Sequence, residues 1–419
     1  MLKYATGAEW KIATAGFEWE TSTGGITVNS TTPITGGSEI RANAAATTPS
    51  FTHTYMATAV ATDRFFTFNL KIVSAPAGTI TIALFRDNVN GNGPMIQLNS
   101  NNTLRLFDAQ GPIQRGSDSS ALTTGTVYQV GLRYNRAAGT CEGTINGVAF
   151  ASGATGVTMD MNVIRLGVID SGTCDLRFDN VIVNDSSGSV NNTYAPVGSK
   201  VAILLPTAAG DNAATTGVYS YINELPPTDT ATSGSTMIEL DNNGDIADYN
   251  VTDSSTAGIG SSDIISGVFV LARVREEAAG TSSYQLRIKS ASGGTVTSTS
   301  SVDAGNTTPR TNPNGTTAFG LPLVSETDPT TGVAWTATGT NSIDNAQIGV
   351  ANTDADSTPD LWVLAMAAMV VYYPSASGKI KVYNGSSFVA KPVKVWNGSA
   401  WVTKPVKRWN GSSWVTTTY

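Results

Sequence analysis

The sequence predicts an all-β protein: two β-sandwich, jelly-roll-like domains followed by a short repeat of β-hairpins. Three observations carry this. Only 14% of the 419 residues are charged while 42 are glycine, and Thr, Ser, Asn and Ala are abundant, which favours short strands and many turns over amphipathic helices. Alternating or apolar runs of strand length recur along the chain, bounded by Gly, Asn, Ser and Pro clusters. Residues 379–416 repeat one short pattern three times.

The first sandwich is placed at residues 1–188, with strands expected at 65–73, 79–85, 127–134, 143–148 and 176–183. Residues 189–200 are small, polar and contain Pro, which marks a linker or exposed connection. The second sandwich spans 201–374, with strands expected at 201–205, 264–274, 284–290 and 361–373. A short helix is expected at 340–346, after Trp335. The run LWVLAMAAMVVYY at 361–373 is the longest apolar stretch, and it is too short for a bilayer that needs about twenty residues. It is expected to be a buried central strand, with no membrane insertion.

Residues 375–419 hold three tandem hairpin repeats, KIKVYNGSSFVA, KPVKVWNGSAWVT and KPVKRWNGSSWVT. Asn-Gly between β-prone runs signals a type I′ turn, so each unit is expected to form one hairpin. Strand alternation puts Val393 and Val395 on one face and Lys394 and Trp396 on the other. So small a unit cannot bury a hydrophobic face alone, and the three are expected to stack on one another or on neighbouring chains.

The repeat aligns Tyr383 with Trp396 and Trp409, and Phe388 with Trp401 and Trp414. These six aromatics are the candidate binding residues. Exposed rings stack well on sugar rings; alternatively they pack hairpin on hairpin, each contributing roughly 1.5–3 kcal/mol. Packing is the favoured reading, because the hairpins hold few other large apolar side chains. The Asn-x-Ser sequons at Asn384, Asn397 and Asn410 are read as turn chemistry.

Charge divides the chain unevenly. The net charge is -7, yet Lys379, Lys381, Lys391, Lys394, Lys404, Lys407 and Arg408 give +7 after Asp360 with no acid, leaving -14 upstream. A basic end on an acidic body suits an acidic partner, such as another copy's body or an anionic envelope polymer. The competing reading is solvated hairpin edges kept from aggregating by Lys and Pro.

Little points to chemistry. His53 is the only histidine and no Gly-x-Ser-x-Gly motif accompanies it, so a structural role is expected. One His and two Cys exclude a His/Cys metal site, and no phosphate-binding glycine pattern is present. No cofactor, no metal and no nucleic-acid partner is expected. The glutamates are scattered, without the Glu-x-Asp-x-x-Glu spacing of jelly-roll glucanases, so an enzyme is not expected. Asn88, Asn90 and Asn92 imitate a calcium loop with neutral amides, while Asp354, Asp356 and Asp360 lack the glycine and distal glutamate; both are read as solvated turns. Cys141 and Cys174 either form a disulfide, worth roughly 3–4 kcal/mol, or remain separate thiols.

Tandem KPVKVWNGSAWVTKPVKRWNGSSWV repeats closing a β-rich chain resemble the ends of minor tail proteins of long-tailed phages that infect mycobacteria and related actinobacteria. In the first domain, GFEWE at 16–20, a strand with Tyr128 and Tyr134, a hairpin around 145–148 and LRFDNVIVND at 176–185 resemble a concanavalin-like, laminin-G-like jelly roll. Such jelly rolls serve lectins, hydrolase accessory modules and virion proteins alike, so the fold names no ligand. NELPPTD at 223–229, IISGVFVLARVR at 264–275 and TGVAWTATGTNSIDNAQIGV at 331–350 resemble a module that follows the jelly roll in those phage proteins.

The resemblance implies a virion structural protein of the tail or tail tip, assembled in the host cytoplasm. A signal peptide is not expected, since MLKYATGAEWKIATAG is polar throughout. The implied partners are other virion tail proteins, copies of the chain itself in a homo-oligomer (a trimer being one form), and a cell-envelope glycan. A head fibre or capsid decoration protein is the nearest alternative. A carbohydrate-binding, lectin-like protein is the next, and a polysaccharide hydrolase the third.

Overall fold

The computed structural model describes residues 1–8, 21–23, 25–31, 33–54, 63–87, 91–109, 113–156, 161–225, 237–277, 282–304, 310–311, 322–354, 361–375, 379–383, 388–404, 407–409 and 414–416. Among them every strand pairing is antiparallel, there is no α-helix, and two short 3-10 turns stand at Tyr219–Tyr221 and Ile343–Asn345. The second turn lies within the short helix expected at 340–346, of which only these three residues are helical. The chain is all-β, built of sandwiches and hairpins.

The first sandwich packs two sheets. One runs Val148–Ala154, Thr140–Ile145, Val127–Asn135, Arg64–Ser74, Gly172–Asp185, Glu39–Thr47 and Thr27–Asn29, with Leu2–Thr6 also paired to Gly172–Asp185. The other runs Ile113–Gln114, Leu104–Asp108, Gly91–Leu98, Ile80–Asp87, Val163–Gly167, Ser50–Thr54 and Thr21–Thr23. Alternation decides what faces inward: along Arg64–Ser74, Phe66, Phe68, Leu70 and Ile72 enter the core beside Phe51, Phe85 and Phe178. The hairpin expected around 145–148 is present: Asn146 and Gly147 both take positive φ (+49° and +75°) and turn the chain sharply between Ile145 and Val148, so the apolar run at 143–148 divides between two strands.

The second sandwich pairs Lys200–Leu204, Leu361–Tyr373, Ile264–Glu276 and Arg310–Thr311 in one sheet, with Ile238–Leu240 and Leu323–Ser325 at its margins. The facing sheet holds Pro206–Ala209, Ile246–Val251, Gln347–Asn352, Ser283–Lys289 and Thr297–Ser298, with Val302–Asp303 also on Ser283–Lys289. Why the apolar run at 361–373 has no polar alternation is now explained. Val363, Met366, Ala368 and Val370 face the second core, while Ala365, Ala367, Met369 and Val371 face a separate cluster that includes Leu2, Ala5, Ile182 and Ala195 of the first sandwich and its strap. A strand covered on both faces must be apolar on both.

Of the linker at 189–200 only Lys200 enters a strand, but the segment is held along its length. Asn191 Nδ2 donates to Ser266 O at 2.7 Å and Glu326 Oε1 at 2.9 Å, Asn184 Nδ2 donates to Thr193 O at 2.8 Å, and Gln129 Nε2 donates to Pro196 O at 3.0 Å. Tyr194 lies edge-on to Phe65, ring centroids 5.2 Å apart, above Gly131, where a Cβ would come within 2.7 Å of the ring. It is a strap across the face of the first sandwich rather than a free tether.

Each repeat unit folds as one hairpin. Lys379–Tyr383 pairs with Phe388–Pro392, Lys394–Trp396 with Trp401–Thr403, and Lys407–Trp409 with Trp414–Thr416. Among the described residues each pair forms its own two-stranded sheet.

Candidate functional site

The five-residue spacing of the repeat aromatics has a direct structural cause. Tyr383 opposes Phe388, Trp396 opposes Trp401, and Trp409 opposes Trp414, each pair the last rung of its ladder before the turn. The side chains of Tyr383, Phe388, Trp409 and Trp414 lie outside the described residues, so the middle hairpin carries the geometry. There the Trp396 and Trp401 rings are 5.8 Å apart and tilted by 59°, and they are 51% and 65% exposed. Val395 on the other face is 48% exposed. The two indoles touch each other and leave more than half of their surface exposed.

The turn that sets the pair differs from the expected type I′. Gly398 alone takes positive φ, at +102°. The loop between the two tryptophans is four residues long, and Asn397 organises it: its N–H donates to Ala400 O at 3.0 Å, while its Oδ1 accepts the N–H groups of Ser399 at 3.0 Å and Ala400 at 2.8 Å. An Asx turn has replaced the two-residue turn because the opposed tryptophans form the ladder's last rung with four residues between them. Lys404 N donates to Val393 O at 2.9 Å and extends the ladder at its root; Lys394 is exposed on the indole face and Lys404 is exposed at the root.

A second feature lies where the strap crosses onto the second sandwich. Val190, Tyr194, Pro196, Ile264, Glu326 and Tyr373 help line a groove of about 330 Å³. Ile264 and Val190 are 40% and 42% exposed. The signal in the sequence was the apolar and aromatic residues Val190, Tyr194, Ala195, Pro196 and Val197 inside a linker rich in Ser, Asn and Thr.

The one histidine and the two cysteines are all buried. His53 is buried and stacks on Tyr4 with centroids 4.0 Å apart, and burial lowers its pKa to about 3, so the imidazole is neutral at ordinary pH. Cys141 and Cys174 are buried free thiols, their pKa values pushed up by burial to about 12 and about 11. Two strands, Val127–Asn135 and Arg64–Ser74, separate theirs in the sheet, a span of about 14 Å that no disulfide bridges.

The densest charge cluster is in the second sandwich. Buried Lys289 reaches Asp211 at 2.5 Å and Asp248 at 3.1 Å, and Arg287 reaches Asp248 at 3.1 Å. The Gly293 N–H, then Lys289 and Ser292, hold the Asp211 carboxyl well below the usual carboxylate range. Every charge there has an opposite neighbour, which is a structural clamp between loops. Among the described residues no group of His, Cys, Asp and Glu is placed to hold a metal ion. Asn88, Asn90, Asp356 and Asp360 of the two loops weighed for calcium lie outside the described residues, as does the GFEWE segment; Asn92 sits in a strand opposite Arg86 and Asp354 is buried.

No protein-family model and no curated protein sequence matches the chain. Among solved structures, the chain is similar to the cellulose-induced protein Cip1 (13% identity, 46% of this chain and 99% of that one, TM-score 0.34). It is also similar to Trypanosoma rangeli sialidase (11% identity, 39% and 29%, TM-score 0.29) and to botulinum neurotoxin type C (10% identity, 55% and 65%, TM-score 0.32). Likeness at this level carries no functional argument.

Proposed function

We propose that this chain is a structural protein of a phage virion, a minor tail protein at the tail or tail tip that contributes to contact with the host envelope. The observation that carries the reading is the tandem KPVKVWNGSAWV-type repeat, folded as hairpins that follow two sandwiches and present an exposed tryptophan pair. The body supplies a stable support, and the tail supplies aromatic and cationic surface. No step of chemistry is assigned to it, and its partners are other tail proteins, further copies of itself and an envelope glycan.

A lectin-like role is the second reading, favoured by the same exposed Trp396 and Trp401, since exposed indoles suit sugar rings. A head fibre or decoration protein would use the same parts elsewhere on the particle. Immunogold labelling of intact particles with antibody against residues 379–419 separates these. Label at the tail tip is the expected result; label on the head moves the protein there, and absence of the chain from purified particles by mass spectrometry overturns the virion reading.

A further inference from the structure

We infer that the hairpin tail of one copy docks, through Trp396 and Trp401, into the groove between the strap and the second sandwich of another copy. This deepens the self-association part of the proposed function by naming the two surfaces that meet.

Both surfaces are unfinished in the single chain. A lone two-stranded hairpin is marginal in water, and this one leaves both of its faces open, with Val395, Trp396 and Trp401 all about half exposed or more. The groove is the converse. At about 330 Å³ it is at the small end of ligand pockets, suited to one or two side chains. Its walls are Val190, Tyr194, Ile264 and Tyr373, with Val333, next to the lining Ala334, 62% exposed nearby.

Charge selects the occupant. No lysine or arginine lines the groove, and its one charged lining residue is Glu326, whose carboxylate also feels the Met1 ammonium and accepts the Leu2 N–H and Asn191 Nδ2. The tail carries seven cations and no acid, with Lys394 on the same face as the tryptophan pair. A cationic aromatic knob and an apolar hole that holds one carboxylate and no cationic side chain are complementary. The chain's own middle hairpin does not fill its own groove, because its indoles stand in solvent.

Such a contact is heterologous, since each copy offers a knob to one neighbour and a hole to the other. It therefore grows into a ring when the rotation closes. The tail leaves the body at Tyr373, which is itself a wall of the groove, so the hole of each copy sits at the root of its own departing knob.

The test uses the purified full-length chain in sedimentation velocity across concentration and salt, with thermal melts confirming that each variant folds. Wild type is expected to associate, and to weaken between 0.1 M and 1 M salt as the Debye length falls from about 10 Å to 3 Å. The W396A/W401A variant and, separately, the I264K variant are expected to lose at least tenfold in association. The decisive arm mixes them: one keeps an intact groove and the other an intact tail, so a one-to-one heterodimer that grows no further is expected. A monomeric wild type overturns the proposal, whether its tryptophan fluorescence is protected, meaning its own tail fills the groove, or changes only with added anionic polysaccharide, meaning the tail serves glycan instead. Association that survives in both folded variants, or a mixture that forms no heterodimer, overturns it as well. Particle labelling is independent of these outcomes, so the interface and the virion placement fail separately.

Discussion

Asn180 Oδ1 accepts the backbone N–H of Val201 at 2.7 Å, and this bond joins a bulge in the first sandwich to the opening strand of the second. Asn180 is buried and holds φ at +48°, while its Nδ2 donates to Thr35 Oγ1 at 2.6 Å. A left-handed residue that places both ends of an amide is a position for asparagine: glycine has the backbone freedom without the amide, and most other residues have neither.

Asn180→Ala removes both side-chain bonds and adds left-handed strain. It is expected to cost about 2–4 kcal/mol, whereas Asn180→Gly, relieved of the strain, should cost about 1 kcal/mol less. Urea unfolding of the two variants measures the difference. Equal costs would show that the backbone at 180 relaxes.

Phe269 lies in the cluster between the sandwiches with Met369 and Leu271, against Leu2 and Ile182. Phe269→Ala is expected to cost about 3–5 kcal/mol and to separate the unfolding of the two sandwiches, because the lost contacts are the ones that couple them. Calorimetry reads this directly. One transition should become two, and a single lowered transition would place the coupling elsewhere.

How much of this was legible in the sequence depended on whether a feature is local. The strand at 361–373 announced itself through thirteen apolar residues, but nothing in that run says that one of its faces covers a neighbouring domain. The aromatic spacing gave the hairpins, yet the turn was misread, because Asn-Gly encodes a two-residue turn at 146–147 and an Asx-turned four-residue loop at 397–400, and the choice is made by which residues pair. The groove and the Asp211–Lys289–Asp248 clamp join residues up to 183 positions apart (190 and 373 in the groove), so no window of sequence contains them.

The folded-state pKa of His53 is about 3 against 6.5 unfolded, so between these values the unfolded chain binds the extra proton. The sign follows: stability falls as pH drops through 6.5 and goes on falling until about pH 3, by about 5 kcal/mol in all. Carboxylates act in the same acid range, so the contribution is read by difference. His53→Phe should match wild type in slope above pH 7 and show a shallower loss of stability between pH 6.5 and 4, in urea titrations at stepped pH.

Lys289 is only 4% exposed and answers two carboxylates, of which Asp248 is 2% exposed. Lys289→Met leaves Asp248 with Arg287 but strips Asp211 of its cation, and it is expected to cost about 3 kcal/mol, the low end for breaking a buried pair. The loss should shrink at acid pH. Asp211, with its pKa depressed, contributes stability above the unfolded carboxylate range that disappears as pH falls through its lower folded value.

Trp396 and Trp401 expose more than half of their surface, so truncating them removes little that the folded chain buries. W396A/W401A is expected to change unfolding free energy by no more than about 0.5 kcal/mol, in the range of surface substitutions. If the tail meets the host, adsorption of particles carrying the variant should nonetheless fall at least tenfold with the protein still present in them. Unchanged adsorption would confine the pair to contacts between copies, and a large loss of stability would mean that the indoles pack against the body in solution.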